Sequence, residues 1–130
     1  MFEKRTHGIR VIVQPEYLPD QSDPSQNYYV WAYHVRIINE SDRTVQLRTR
    51  YWRITDAMGR IQEVRGAGVV GEQPVLRPGE SFEYTSGTPL PTPSGFMTGA
   101  YQMEAEDGSL IEVEIPTFSL DIPDRSAPLH

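Results

Sequence analysis

Val64-Arg-Gly-Ala-Gly-Val-Val-Gly-Glu-Gln-Pro-Val-Leu-Arg-Pro-Gly79 lies in the middle of the chain, between two strand-rich halves. Within it, Gly66, Gly68 and Gly71 show the Gly-x-Gly-x-x-Gly spacing associated with pyrophosphate binding. That spacing holds phosphate when a strand runs into it and a helix starts on it. The helix end then supplies unpaired N–H groups and the positive pole of its dipole. Here Pro74, Pro78 and Gly79 follow within eight residues of Gly71 and leave no room for a helix. A dinucleotide fold is set aside, and what remains is a Gly-rich loop on a β scaffold.

Two readings of that loop follow. Successive N–H groups at Gly66, Gly68 and Gly71 would form an anion nest, with Arg65 and Arg77 adding charge, as a candidate site for a pyrophosphate or nucleotide. The plainer reading, which we favour, takes Gly66 and Gly68 as a bulge or close crossing where the chain passes between sheets.

Outward from the loop, the chain alternates like a β protein. Residues 9–17 read as an edge strand ending at Pro15, followed by a polar loop at 18–27. Residues 28–39 form a long strand with Tyr29, Trp31, Tyr33, Val35 and Ile37 facing inward. Val45 and Leu47 have the opposite parity to Trp52 and Ile54, so one extra residue is expected between Arg48 and Tyr51. Asp56-Ala-Met-Gly59 turns the chain back through 61–65. Phe82 and Tyr84 alternate with polar neighbours, and residues 86–95, with three prolines, read as a loop. Residues 96–105 place Met97, Gly99, Tyr101, Met103 and Ala105 on one face. Glu106-Asp-Gly-Ser109 is a tight hairpin leading into Ile111, Val113 and Ile115, and past Pro116 the apolar parity shifts to Phe118 and Leu120.

Seven or eight short strands bounded by Gly, Pro and Asp turns predict an all-β fold, an antiparallel sandwich of the immunoglobulin or fibronectin type III kind. Trp52 stands where such folds place a core tryptophan, and Tyr101 where they place a corner tyrosine. The 130 residues are expected to form one domain, with a core over about 9–123 and a loose tail at 124–130.

Composition narrows the function classes. With no cysteine there is no disulfide framework, thiolate nucleophile or Cys-type zinc site. No apolar run is long enough to span a membrane and no secretory signal opens the chain, so a cytoplasmic protein is expected. A net charge of −6 opposes general nucleic-acid binding. Seven arginines between Arg36 and Arg65 would suit a small anion, although pairing with neighbouring acids is the plainer reading. His34 reads as a cross-strand histidine rather than a catalytic base, and Glu112 with Glu114 as a solvated face rather than a Mg²⁺ contact. The stripe Tyr29, Trp31, Tyr33 reads as core rather than a base-stacking platform, and Pro91 with Pro93 as a turn rather than a polyproline ligand. No catalytic residue, metal site or cofactor is assigned.

Several motifs in order carry a resemblance. Tyr51-Trp-x-Ile-Thr-Asp56, the opening stretch, Phe82-x-Tyr-x-Ser-Gly87, Gly95-x-Met-x-Gly-x-Tyr-x-Met103 and Ile115-Pro-x-Phe-x-Leu120 together closely resemble the ApaG family, over roughly residues 10–123. The resemblance implies a fibronectin type III-like sandwich and a genetic link to cobalt resistance and magnesium efflux. It also implies a gene often neighbouring a diadenosine-tetraphosphate hydrolase, and a module appended to eukaryotic F-box and polymerase-interacting proteins. From it we expect a non-enzymatic protein-interaction domain with an unidentified protein partner, acting indirectly in divalent-cation homeostasis. The alternative is nucleotide or pyrophosphate recognition at Gly66–Gly71. Long strand edges also suit a homodimer.

Overall fold

A computed structural model describes residues 1–122; the expected tail at 124–130 lies outside the described residues. Among the described residues nine strands form two antiparallel sheets, and the helical content is two short 3₁₀ turns at Pro19–Gln21 and Pro24–Gln26. The first sheet has the order β1 (Phe2–Thr6), β2 (Ile9–Tyr17), β3 (Tyr29–Asn39), β7 (Ser81–Leu90). The second runs β5 (Ile61–Ala67), β4 (Val45–Asp56), β8 (Ser94–Ala105), β9 (Leu110–Asp121), with β6 (Val75–Leu76) also on β4. The fold is therefore the two-sheet β-sandwich that the alternation implies. No helix among the described residues is long and apolar enough to cross a membrane.

The expected inward sets are buried, with Gly99 and Ile111 only partly so. Tyr29, Trp31, Tyr33, Val35 and Ile37 of β3 meet Trp52 and Ile54 of β4 and Met97, Tyr101 and Met103 of β8 in one core. Trp52 packs 5.0 Å from the Tyr33 ring and edge-on to Phe118 at 6.0 Å, geometries that suit the ring quadrupoles. Both parity changes are bulges. Register shifts between Leu47 and Thr49, making Arg48 the extra residue of β4, and Pro116-Thr117 faces Thr98 alone as β9 passes β8. The first bulge turns both apolar pairs of β4 to the core, and the second does the same for Ile115 and Phe118.

Four expectations are corrected. Residues 9–17 are not an edge: β1 pairs with β2 from Phe2↔Val13 to Thr6↔Ile9. Charge hides β1 in the sequence, and charge also anchors it, through Lys4–Glu114 at 2.9 Å and Arg5–Glu40 at 3.1 Å. Pro15 is tolerated because it lies just past the end of that pairing. Residues 86–95 are not one long loop, since β7 continues to Leu90 and leaves a turn at 91–93. Pro89 fits there because β7 is the last strand of its sheet. The Gly-rich stretch does not cross between sheets: β5 and β6 both pair with β4, and the crossing comes after β6, at the Arg77-Pro-Gly-Glu80 turn into β7. Tyr101 does not bond backbone as a corner tyrosine does; its hydroxyl meets that of Tyr84 between the sheets.

Candidate functional site

The three motif glycines do three different things. Gly66 belongs to β5, opposite Arg50, and has no positive φ. A Cβ there would meet the Arg50 guanidinium, whose Nη1 lies 2.9 Å away. That guanidinium donates to the carbonyls of Ala67 at 3.0 Å and Gly68 at 2.9 Å. Gly68, at φ +64°, passes so close to Glu72 that a Cβ would collide with its carbonyl oxygen. Val69 and Glu72 then exchange N–H···O bonds of 2.9 and 2.8 Å around Val70 and Gly71, at φ +44° and +80°. Two positive φ values in succession make this a two-residue type I′ turn.

The motif amides are partly committed. The N–H of Gly68 donates to Arg48 at 2.9 Å, and those of Val69 and Glu72 close the turn. Arg65 points away from it, lying 4.6 Å over the Tyr51 ring and 3.6 Å from Glu63. Arg77 follows β6, whose Leu76 pairs with Val45, six residues along β4 from Tyr51, the partner of Arg65, so the two arginine backbones stand about 20 Å apart at strand rise. Arg65 and Arg77 therefore do not converge on the Val69–Glu72 turn, although Arg65 shares the outer-face groove with Gly66. The arginine at the turn is Arg50. Sequence reasoning counted it in a cluster but missed its position; the signal was its parity with Trp52, which turns it toward the core side of β4.

Three more arginines of the cluster pair with acids. Arg48 reaches Glu104 at 3.0 Å, Arg60 reaches Asp56 at 2.8 Å and Arg36 reaches Glu83 at 3.5 Å. Although burial pushes the Asp56 carboxyl up, the N–H groups of Arg60 and Met58 and the Arg60 guanidinium hold it below its ordinary value. His34 bridges Thr85 Oγ1 at 2.8 Å and Glu16 Oε1 at 2.9 Å. The connection imitates a hydroxyl–imidazole–carboxylate relay, but all three stand on the solvent face of the first sheet, so the cross-strand reading fits. Among the described residues no three of His, Cys, Asp and Glu gather as a metal centre; Glu114 is engaged by Lys4.

Between the sheets lies a polar island. Burial pushes the hydroxyls of Tyr33, Tyr84 and Tyr101 above the ordinary tyrosine value, with Arg50 near enough to oppose the shift slightly. On the outer face of the second sheet, Thr49, Tyr51, Arg65, Gln102 and Glu112 line a shallow groove floored by Ala100. Tyr51 donates its hydroxyl to Glu63, and that bond is the main reason its proton is held more tightly than usual.

Comparison with known proteins agrees with this architecture. The ApaG domain family model matches residues 19–105. Protein ApaG of Rhodospirillum centenum is 67% identical over 129 residues, covering 98% of this chain and 99% of that one. Protein ApaG of Paramagnetospirillum magneticum is 62% identical over the full length of both. A crystal structure of a Bordetella pertussis protein described as ApaA superposes with a TM-score of 0.87 at 54% identity, over 92% of this chain and 97% of the other. The C-terminal domain of Wzt, 11% identical at a TM-score of 0.56, shares the fold alone. With a family model matched over residues 19–105 and full-length relatives at 62% and 67% identity, the chain belongs to the ApaG domain family.

Proposed function

We propose that this domain is a cytoplasmic, non-enzymatic protein-interaction module whose contact surface centres on the Val69–Glu72 turn. Its link to cobalt resistance and magnesium efflux then runs through the partner it holds. The observation that carries this reading is Val70. A β-branched residue at positive φ costs about 1–2 kcal/mol in backbone sterics. Its side chain is also 56% exposed, so little of that cost is repaid by burial. Asparagine would suit the first central position of a type I′ turn better on both counts. A side chain that costs the fold free energy while reaching into solvent is best accounted for by contact with another molecule. The apolar character of this tip favours a protein over a nucleotide, as does the commitment of the Gly68, Val69 and Glu72 amides within the fold.

The test uses the full chain and a Val70→Asn variant, both immobilised against cell extract. Proteins retained by the first and lost by the second support the reading; identical retention overturns it. An amide NMR titration with ATP, diadenosine tetraphosphate, Mg²⁺ and Co²⁺ addresses the competing nucleotide reading. Saturable shifts confined to residues 65–77 with a nucleotide would replace the interaction reading with that one.

A further inference from the structure

We infer that two copies of this chain associate through β5, edge to edge and antiparallel, about a two-fold axis at Val64. The inference stands apart from the reading of Val70, and it begins with the sheet edges. β9 is covered by β1, through Lys4–Glu114 and a 3.3 Å bond from the Glu114 N–H to Thr6. The free side of β7 is interrupted by Pro89, and β1 is five residues long and charged at three of them. Shortness, charge and proline are the usual protections of an edge. β5 has no proline over its seven residues, and its sequence Ile-Gln-Glu-Val-Arg-Gly-Ala is balanced in charge.

Hydrogen-bond parity shows which groups β5 offers. Arg60 accepts from Asp56, and Gly68 donates to Arg48, so the even-numbered residues of this stretch direct their backbone groups toward β4. In an antiparallel ladder the direction alternates, so Ile61, Glu63, Arg65 and Ala67 present N–H and C=O to the free side. A second β5 satisfies all of them only where odd residues face odd residues.

Charge then selects among those registers. Placing Glu63 opposite its own copy sets carboxylate against carboxylate, and the shift in the other direction sets Arg65 against Arg65. The register between them puts Glu63 opposite Arg65 and Arg65 opposite Glu63, with Ile61 opposite Ala67 at both ends. Val64 meets its own copy on the inner face, where it already packs partly buried against the core. This register also overlaps the whole strand, and its contacts are isologous, as a closed dimer requires. Opposite charges directly across an antiparallel pair are favourable and like charges unfavourable. Glu63 and Arg65 are 46% and 70% exposed, with their charged groups 3.6 Å apart on one face, so both are available to the second strand.

The test is sedimentation of the full chain from micromolar to millimolar concentration. The native chain is expected to dimerise, more weakly at high salt. Glu63→Arg and Arg65→Glu should each raise the dissociation constant by at least about tenfold, because each faces like charges across the axis. Mixing the two variants should restore association, since one chain then sets two arginines against two glutamates of the other. This rescue also shows that both variants are folded. In the native dimer, amide exchange at Ile61, Glu63, Arg65 and Ala67 should slow relative to dilute protein. A chain that stays monomeric at millimolar concentration overturns the inference. So does a dimer that ignores both charge reversals, or one that leaves those four amides unprotected.

Discussion

Arg50 occupies the space that a side chain on Gly66 would fill. Its Nη1 lies 2.9 Å from the Cβ position of Gly66, and from there it ties the carbonyls of Ala67 and Gly68 to β4. A motif glycine thus makes room for an arginine of the protein itself, and the arginine holds the turn against the sheet.

The three glycines should therefore respond differently to alanine. Gly68→Ala meets both an unfavourable φ and a backbone oxygen, and is expected to cost on the order of 3 kcal/mol. Gly66→Ala must displace only the end of Arg50, losing hydrogen bonds worth about 1–2 kcal/mol. Gly71→Ala faces open space and should cost about 1 kcal/mol from φ alone. Urea denaturation of the three variants reads this order; a phosphate-binding requirement would not produce it in the absence of ligand.

Val70→Asn is expected to raise stability by about 0.5–1 kcal/mol, because it relieves the turn without removing a buried contact. The denaturation midpoint should move up with the slope unchanged. Loss of stability would mean that the Val70 side chain supports the fold.

Tyr84 and Tyr101 share a buried hydroxyl pair, so removing one hydroxyl strands the other. Tyr101→Phe and Tyr84→Phe should each cost about 1–3 kcal/mol, and the double variant should cost less than their sum. A thermal or chemical double-mutant cycle measures the coupling.

The same hydroxyls make the fold sensitive to alkali. Burial raises their values above the ordinary one, so their contribution is fully present below the ordinary tyrosine range. It is lost as pH rises above that range, because the unfolded chain ionises first. Stability measured against pH should fall on the alkaline side, and less steeply in the double phenylalanine variant.

Asp56 acts in the opposite direction. Its carboxyl is held below its ordinary value, so its contribution is present above the ordinary carboxylate range and lost as pH falls below it. Asp56→Asn keeps an acceptor for the N–H groups of Met58 and Arg60 but loses the charge pair with Arg60. Its stability should accordingly vary less with acid pH than that of the native chain.

Where side-chain alternation decides a position, the sequence was enough. The faces of β3 and β8 and both parity changes could be read because a strand has period two and a bulge shifts it by one residue. β1 could not, because Lys4 and Arg5 find their partners far along the chain, at Glu114 and Glu40, and Glu3 meets Arg10 only once β2 has folded back beside it. Nor could the reasons for Gly66 and Gly68, which lie in Arg50 and in the carbonyl of Glu72. The same spacing would fit a phosphate loop, and only the surrounding backbone distinguishes the two. The positive φ of Val70 left no trace at all, since valine gives no hint of a left-handed position.

The seam between β1 and β9 has a kinetic consequence. Thr6 and Lys4 both meet Glu114, more than a hundred positions later. During synthesis β1 and β2 therefore emerge long before the strand that covers them. The apolar face of Ile9, Val11 and Val13 must wait for nearly the whole chain before it is buried. Closing so long a loop is entropically costly, and contacts so far apart in sequence are expected to slow folding. The sandwich can close only once β9 has cleared the ribosome, whatever has formed along the nascent chain before it.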